Sequence, residues 1–115
     1  MKFLKSEMKN KYWTYCHYLE ARCEALPEQL EKKFKNIECY HESSSCYGMS
    51  NYINVEIQDN AGDSLDSFDI RISDHEPTGS GEHCEKYIYI TDKEWKEVKK
   101  EVFTFIENKL SEFKN

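Results

Sequence analysis

Apolar side chains recur every three or four residues at the start of the chain. Met8, Tyr12, Tyr15, Cys16, Leu19, Cys23 and Leu26 fall on one face of a helix, which predicts a helix over about residues 6–25 with Ser6 as its cap. Pro27 suits a first helical turn, so it either ends this helix or opens the next. A short second helix from Glu28 to Lys35 places Leu30 and Phe34 inward, and the pattern stops at Asn36. The period then switches to two. Ile37, Cys39 and His41 share one face of a short run that Ser43, Ser44 and Ser45 interrupt. Ile53, Val55 and Ile57 alternate with Asn54, Glu56 and Gln58, and Phe68, Ile70 and Ile72 alternate with Asp69, Arg71 and Ser73. Between these two runs, Asn60 and Gly62 tolerate positive φ, so the pair predicts an antiparallel hairpin with one wet face. Pro77, Gly79 and Gly81 mark a long loop, and Lys86 to Ile90 reads as a further strand. Thr91 and Glu94 have the spacing of a capping box. The stripe Trp95, Val98, Val102, Phe105, Ile106 and Leu110 follows, predicting a helix over about residues 92–113.

The order α-α-β-β-β-β-α predicts an α+β domain. Its expected form is a four-stranded antiparallel sheet, with an N-terminal helix or helix pair and a long C-terminal helix packed on one face. A length of 115 residues fits a single domain over 1–115. Only 38% of the residues are hydrophobic, but 14% are aromatic, and rings bury enough area to build a core despite 33% charged residues. No apolar run approaches the ~20 residues of a membrane span, and the first residues lack the apolar stretch of a signal peptide. Cys16, Cys23, Cys39, Cys46 and Cys84 are odd in number, which fits reduced thiols and a cytoplasmic chain better than a disulfide framework.

The net charge of −6 argues against a general nucleic-acid binder, and it is unevenly spread. Residues 1–36 carry a balance of +3 and residues 92–115 are neutral; residues 37–91 hold eleven acids against Arg71 and Lys86 alone, a balance of −9. The basic start, with Lys2, Lys5, Lys9 and Lys11 among apolar residues, suits an amphipathic helix with snorkelling lysines. The acidic middle keeps the chain soluble, and it also suits a surface that meets a basic partner. Glu56, Asp69 and Glu85 are expected on the outer sheet face, with Asp59, Asp63 and Asp66 at the hairpin end. Spaced carboxylates on a rigid sheet match a Lys/Arg channel that otherwise takes nucleic acid. Tyr40, Tyr47, Tyr52, Tyr87 and Tyr89 lie in the same region, and tyrosine is enriched at binding hot spots.

Ser73, Asp74, His75 and Glu76 stand where a strand runs into a loop. They do not form a nucleophilic triad, because strand neighbours point to opposite faces. Asp74 instead suits a cap on the backbone N–H groups of the loop that follows. A metal is the alternative: Zn2+ takes four N, S or O ligands, and Cys39, His41, Cys46, His75, His83 and Cys84 share this segment with Asp74 and Glu76. Their spacing matches no zinc finger or ribbon. If a metal is held, His75, His83 or Cys84 with Cys39 or His41 are its candidates; otherwise no cofactor is expected.

The motif Ser-x-Tyr at Ser50 and Tyr52, leading to Val55, is followed by a strand carrying Arg71, Ile72, Ser73, Asp74, His75 and Glu76. This combination resembles small domains of bacteriophage and mobile-element proteins, over about residues 43–91. The resemblance implies phage origin and carries no assigned activity. Together with the charge, it leads to the expectation of a non-enzymatic, anti-CRISPR-like inhibitor. Such a protein occupies a basic nucleic-acid-handling protein in the host cytoplasm, without touching nucleic acid or membrane itself. The expected contact residues are Tyr52, Glu56, Asp63, Asp66, Asp69, Arg71, Asp74, Glu76 and Tyr87. Two competing classes are a metal-dependent protein or enzyme centred on Asp74, His75, Glu76 and His83, and a homodimeric or larger structural module paired through the Trp13 and Trp95 helices.

Overall fold

A computed structural model of the chain describes residues 12–43, 50–73, 84–90 and 93–113, with side chains from Tyr18 onward. Helices α1 (Tyr12–Glu24) and α2 (Leu26–Lys33) come first, then strands β1 (Ile37–Ser43), β2 (Ser50–Gln58), β3 (Ser64–Ser73) and β4 (Lys86–Tyr89), then helix α3 (Trp95–Ser111). The expected α+β architecture is present, with a helix pair at the start and one long helix at the end.

The break between the first two helices falls at Ala25, so α2 starts and ends two residues earlier than expected. Pro27 is the cause: it has no N–H to give the carbonyl of Cys23, but its fixed φ suits a first turn. Leu19, Cys23, Leu26 and Leu30 are all fully buried, so the apolar stripe runs unbroken across the junction. Asn36, at φ 65, turns the chain from α2 into β1 in a left-handed conformation that Asn tolerates better than most residues. Its side chain donates to Asn60 at 3.1 Å, and its carbonyl accepts from the Gln58 N–H at 2.8 Å.

The sheet order is β1-β2-β3-β4. The β2–β3 hairpin is antiparallel as expected, with Val55 opposite Phe68 and Ile53 opposite Ile70. Its turn is held by Asp59, whose carboxylate accepts from the Ala61 and Asp63 N–H groups, each at 2.9 Å. Gly62, at φ 91, closes it. The last pair departs from the expected antiparallel sheet: β4 lies parallel to β3, with Arg71 opposite Tyr87 and Ile72 opposite Ile88. A tight turn would have forced the antiparallel arrangement, whereas the twelve residues 74–85 give the length that a parallel crossover needs.

One face of the sheet packs against the helices. Ile53, Val55, Ile57, Ile70, Ile72, Ile88 and Ile90 meet Val98, Val102 and Ile106 of α3 and the apolar stripe of the helix pair in one buried cluster. Phe68 meets Phe105 edge-on at 5.5 Å and Phe34 meets Phe103 at 5.9 Å, contacts worth about 1 kcal/mol each beyond their area. Helix α3 begins at Trp95, not at residue 92, with Glu94 as its N-cap. The Glu97 carboxylate accepts from the Glu94 N–H at 3.4 Å, so the box sits one turn later than the one read at Thr91, a residue outside those described. Ile90 explains the delay: its N–H donates to the Ser73 carbonyl and its side chain is fully buried, so the chain is still tied to the sheet there. Trp95 packs against the core.

Candidate functional site: the open face of the sheet

No described helix packs on the other face. Strand alternation puts Glu38, Tyr40 and Glu42 of β1 on it, then Tyr52, Asn54, Glu56 and Gln58 of β2, Asp69 and Arg71 of β3, and Tyr87 and Tyr89 of β4. Register orders these side chains in rows across the sheet.

The central row runs Glu42, Tyr52, Arg71, Tyr87. The Arg71 guanidinium lies 5.6 Å from the Tyr52 ring centre and 5.0 Å from that of Tyr87, so the cation is held over two π faces. It also donates to the Ser50 hydroxyl at 2.9 Å, and that hydroxyl lies 3.0 Å from the Ser73 Oγ. Both serines are buried at the end of the sheet where β2 begins and β3 ends. The next row is Tyr40, Asn54, Asp69, where the Asn54 amide donates to the Asp69 carboxylate. Beyond it Glu38 stands directly opposite Glu56. Like charges in that relation repel. Tyr40, 61% exposed, donates its hydroxyl to Glu38 at 3.2 Å. That bond, and then the Glu38 charge, raise the phenol above its ordinary value, with Glu56 and Glu31 adding to the effect. The field on this face is therefore negative, and Arg71, already stacked, is its one basic side chain among the described residues.

The remaining expected contact residues are scattered. Glu85 leaves the face: it follows a bend before β4 and reaches Lys109 of α3 at 3.8 Å, because alternation fails where the strand has not yet begun. Asp66 stands opposite Ile57 in the register that faces the helices, and its carboxylate accepts from the Ser67 N–H at 2.9 Å. Asp63 lies in the exposed hairpin turn, with its backbone held by Asp59. Asp74 and Glu76 lie outside the described residues, as do Tyr47, Cys46, His75 and His83. Glu38, Glu42 and their place beside Tyr40 were not singled out in the sequence, although the alternation of Ile37, Cys39 and His41 already assigned them to this face.

The metal candidates that are described do not converge. Cys39 and His41 are on edge strand β1, while Cys84 precedes the opposite edge strand β4. Three strand steps of about 4.8 Å put the two edges about 14 Å apart. His41 is engaged through Nε2 with Asn51 Oδ1 at 2.8 Å. Burial, then the Glu31 charge, push the Cys39 thiol up to about 12, and burial pushes Cys23 up as well. Among the described residues no group of three or more His, Cys, Asp or Glu side chains is placed to hold a metal ion.

Among the described residues, fold and site together define a two-layer α+β domain with helices on one side and, on the other, an acidic, tyrosine-bearing sheet face that no described helix covers. Comparison with protein-family models, curated proteins and solved structures found no match for the chain. No helix among the described residues is long and apolar enough to cross a membrane.

Proposed function

We propose that this chain is a non-enzymatic binding domain that places its open sheet face in the cationic channel of a nucleic-acid-handling protein and so inhibits it. The observation that carries the reading is the Glu38–Glu56 pair. Two carboxylates directly opposite each other weaken the sheet, and a Lys or Arg from a partner set between them reverses the sign of that interaction. Glu42 extends the negative surface along β1 and Asp69 extends it onto β3, and Tyr40, Tyr52, Tyr87 and Tyr89 supply flat, partly exposed area around it. Surfaces of this kind gain association rate and selectivity from charge complementarity. The resemblance read from the sequence, of Ser50 to Val55 and Arg71 to Glu76 to phage and mobile-element domains, leads us to propose a host defence effector as the target, a CRISPR nuclease being the most concrete case, met in the host cytoplasm.

The test is an inhibition or pull-down assay with such a nuclease across ionic strength. Binding is expected to weaken as salt rises, and Glu56→Lys is expected to abolish it. The same substitution sets a cation directly opposite Glu38 across the strands, so the folded protein should hold or gain up to about 1 kcal/mol in denaturant titration. Binding unchanged by both salt and Glu56→Lys rules the mechanism out.

A further inference from the structure

A groove of about 400 Å3 opens in the helical layer, away from the open sheet face. Tyr18, Ala21 and Arg22 of α1 form one wall, Ala25 and Gln29 form the junction, and Trp95, Lys96 and Lys99 of α3 form the other wall. The two alanines contribute only a methyl group each to the lining, and a larger side chain at either position would narrow the groove. Among the described residues, the lining carries three cations and no carboxylate. Arg22 is stacked on the Tyr18 ring at 4.8 Å and bonded to its hydroxyl, which fixes the guanidinium in place. Lys99 lies 5.7 Å from the Phe103 ring centre. Neither Arg22 nor Lys99 forms an ion pair with a described residue, and Lys96 meets only Glu94, at 3.7 Å and at the solvent rim. The first turn of α3 adds its positive dipole end on the same side. At the junction, Gln29 Oε1 is buried and accepts no hydrogen bond from any described residue. A buried acceptor in that condition is costly, and a ligand that brings a donor removes the cost.

We propose that this groove binds a small organic anion with a flat ring and an N–H donor, the chemistry of a nucleoside monophosphate. The phosphate meets Arg22 and Lys99, which have no ion-pair partner among the described residues, and Lys96, whose pairing with Glu94 at the rim is long and exposed. The ring lies against Trp95 and the alanine floor. An exocyclic or ring N–H reaches Gln29 Oε1 once that side chain turns from its buried position toward the groove. The volume falls in the range of small-ligand sites. The overall charge of −6 opposes binding of a nucleic-acid polymer but not of one monoanion or dianion at a single cationic groove. The groove is on the opposite side of the core from the sheet face, so this site stands independently of the proposed inhibitory contact.

Two-dimensional 1H–15N NMR of the whole chain, titrated in turn with AMP, GMP, CMP, UMP, adenosine and inorganic phosphate, tests the inference. At least one nucleotide is expected to give saturable shifts at the Trp95 indole N–H and at the Gln29 side-chain amide, with adenosine and phosphate each binding more weakly. The paired substitution Lys96→Ala and Lys99→Ala, on exposed or half-exposed positions, should weaken that nucleotide about tenfold or more. Gln29→Leu should reduce discrimination among the bases, and Glu56→Lys should leave nucleotide binding unchanged. Absence of saturable shifts with all four nucleotides, or equal shifts from inorganic phosphate alone, overturns the proposal.

Discussion

Cys39 sits on the helix-facing side of β1, only 5% exposed, and its backbone N–H donates to the Glu31 carboxylate at 2.8 Å. Burial first, and the neighbouring charge second, raise its thiol from the ordinary 9.0 to about 12. The folded chain therefore keeps a proton that the unfolded chain releases. Stability from this group is complete below about 9 and falls as pH rises from 9 toward 12. In native protein at neutral pH, Cys23 and Cys39 should resist iodoacetamide, and both should react once denaturant opens the core; peptide mass mapping reads the difference. Gly62 is a second position where one atom matters. Nothing lies within 4 Å of an added Cβ, so Gly62→Ala meets no clash, but φ 91 is a conformation other residues rarely adopt. The substitution should cost about 1 kcal/mol in a denaturant titration, all of it from backbone strain. At this scale the sequence was informative where a residue type has one dominant backbone role, as Gly62 does; Asn36 was read only as the place where the helical pattern stops. It was silent where a side chain is claimed from afar: Glu85 belongs to Lys109 of α3, and no local pattern announces that pairing.

Strand β1 is an edge strand, and α2 guards it. Gln58 bonds to the Asn36 carbonyl, so residues 36, 38, 40 and 42 turn their backbone groups toward β2 while residues 37, 39, 41 and 43 turn theirs outward. The outward N–H of Cys39 is the one Glu31 occupies. Exposed edges pair with other chains unless something blocks them. Glu31→Ala should therefore speed hydrogen exchange at the Cys39 amide and produce concentration-dependent self-association in sedimentation. A monomer with unchanged exchange would show that the edge is protected by other means. The hairpin was legible because two clean alternations flank a turn-forming segment. The direction of β4 was not, because four residues alternating around Ile88 look the same either way up; the connection decides it. The start of α3 was misplaced because Thr91–Glu94 and Glu94–Glu97 share the same spacing. A hydroxyl favoured the first, and the sheet's hold on Ile90 selected the second.

Among the described residues the sheet face is acidic on balance, whereas the helices carry acids and bases in equal number, with three of the bases gathered at one groove. Glu38, Glu42, Glu56 and Asp69 stand on the open sheet face, and Arg22, Lys96 and Lys99 surround the groove in the helical layer. This distribution was partly visible in the segment balances of +3, −9 and 0. What the segments could not show is that acids of the middle segment go to different places: Asp59 holds a turn, Asp66 stands in the helix-facing register and Glu85 pairs with a helix. The acidic set of the proposed contact is therefore smaller than the count of eleven, and it includes Glu38 and Glu42. Because the Glu38–Glu56 repulsion is a property of the free molecule, the effect of Glu56→Lys on folding and on partner binding should have opposite signs. Raising salt should stabilise the free fold slightly while weakening the complex, since screening relieves the pair in one case and the attraction in the other. Parallel melting and binding series across ionic strength check both.

The parallel β4 has a consequence for the order in which this protein is completed on the ribosome. When Ser73 has emerged, both leading helices and three antiparallel strands are already available, and the contacts among them are mostly between sequence neighbours. At that stage β3 is an outer strand with a row of unpaired amide groups, and Ile70 and Ile72 lack their α3 and β4 neighbours. Only after the next sixteen residues arrive can Lys86–Tyr89 cover that row, and α3 comes later still. Translation therefore passes through a window in which a nearly finished domain carries an open, apolar-backed border. The speed of synthesis across residues 74–111 governs how long a nascent chain spends there, exposed to its neighbours on the same message.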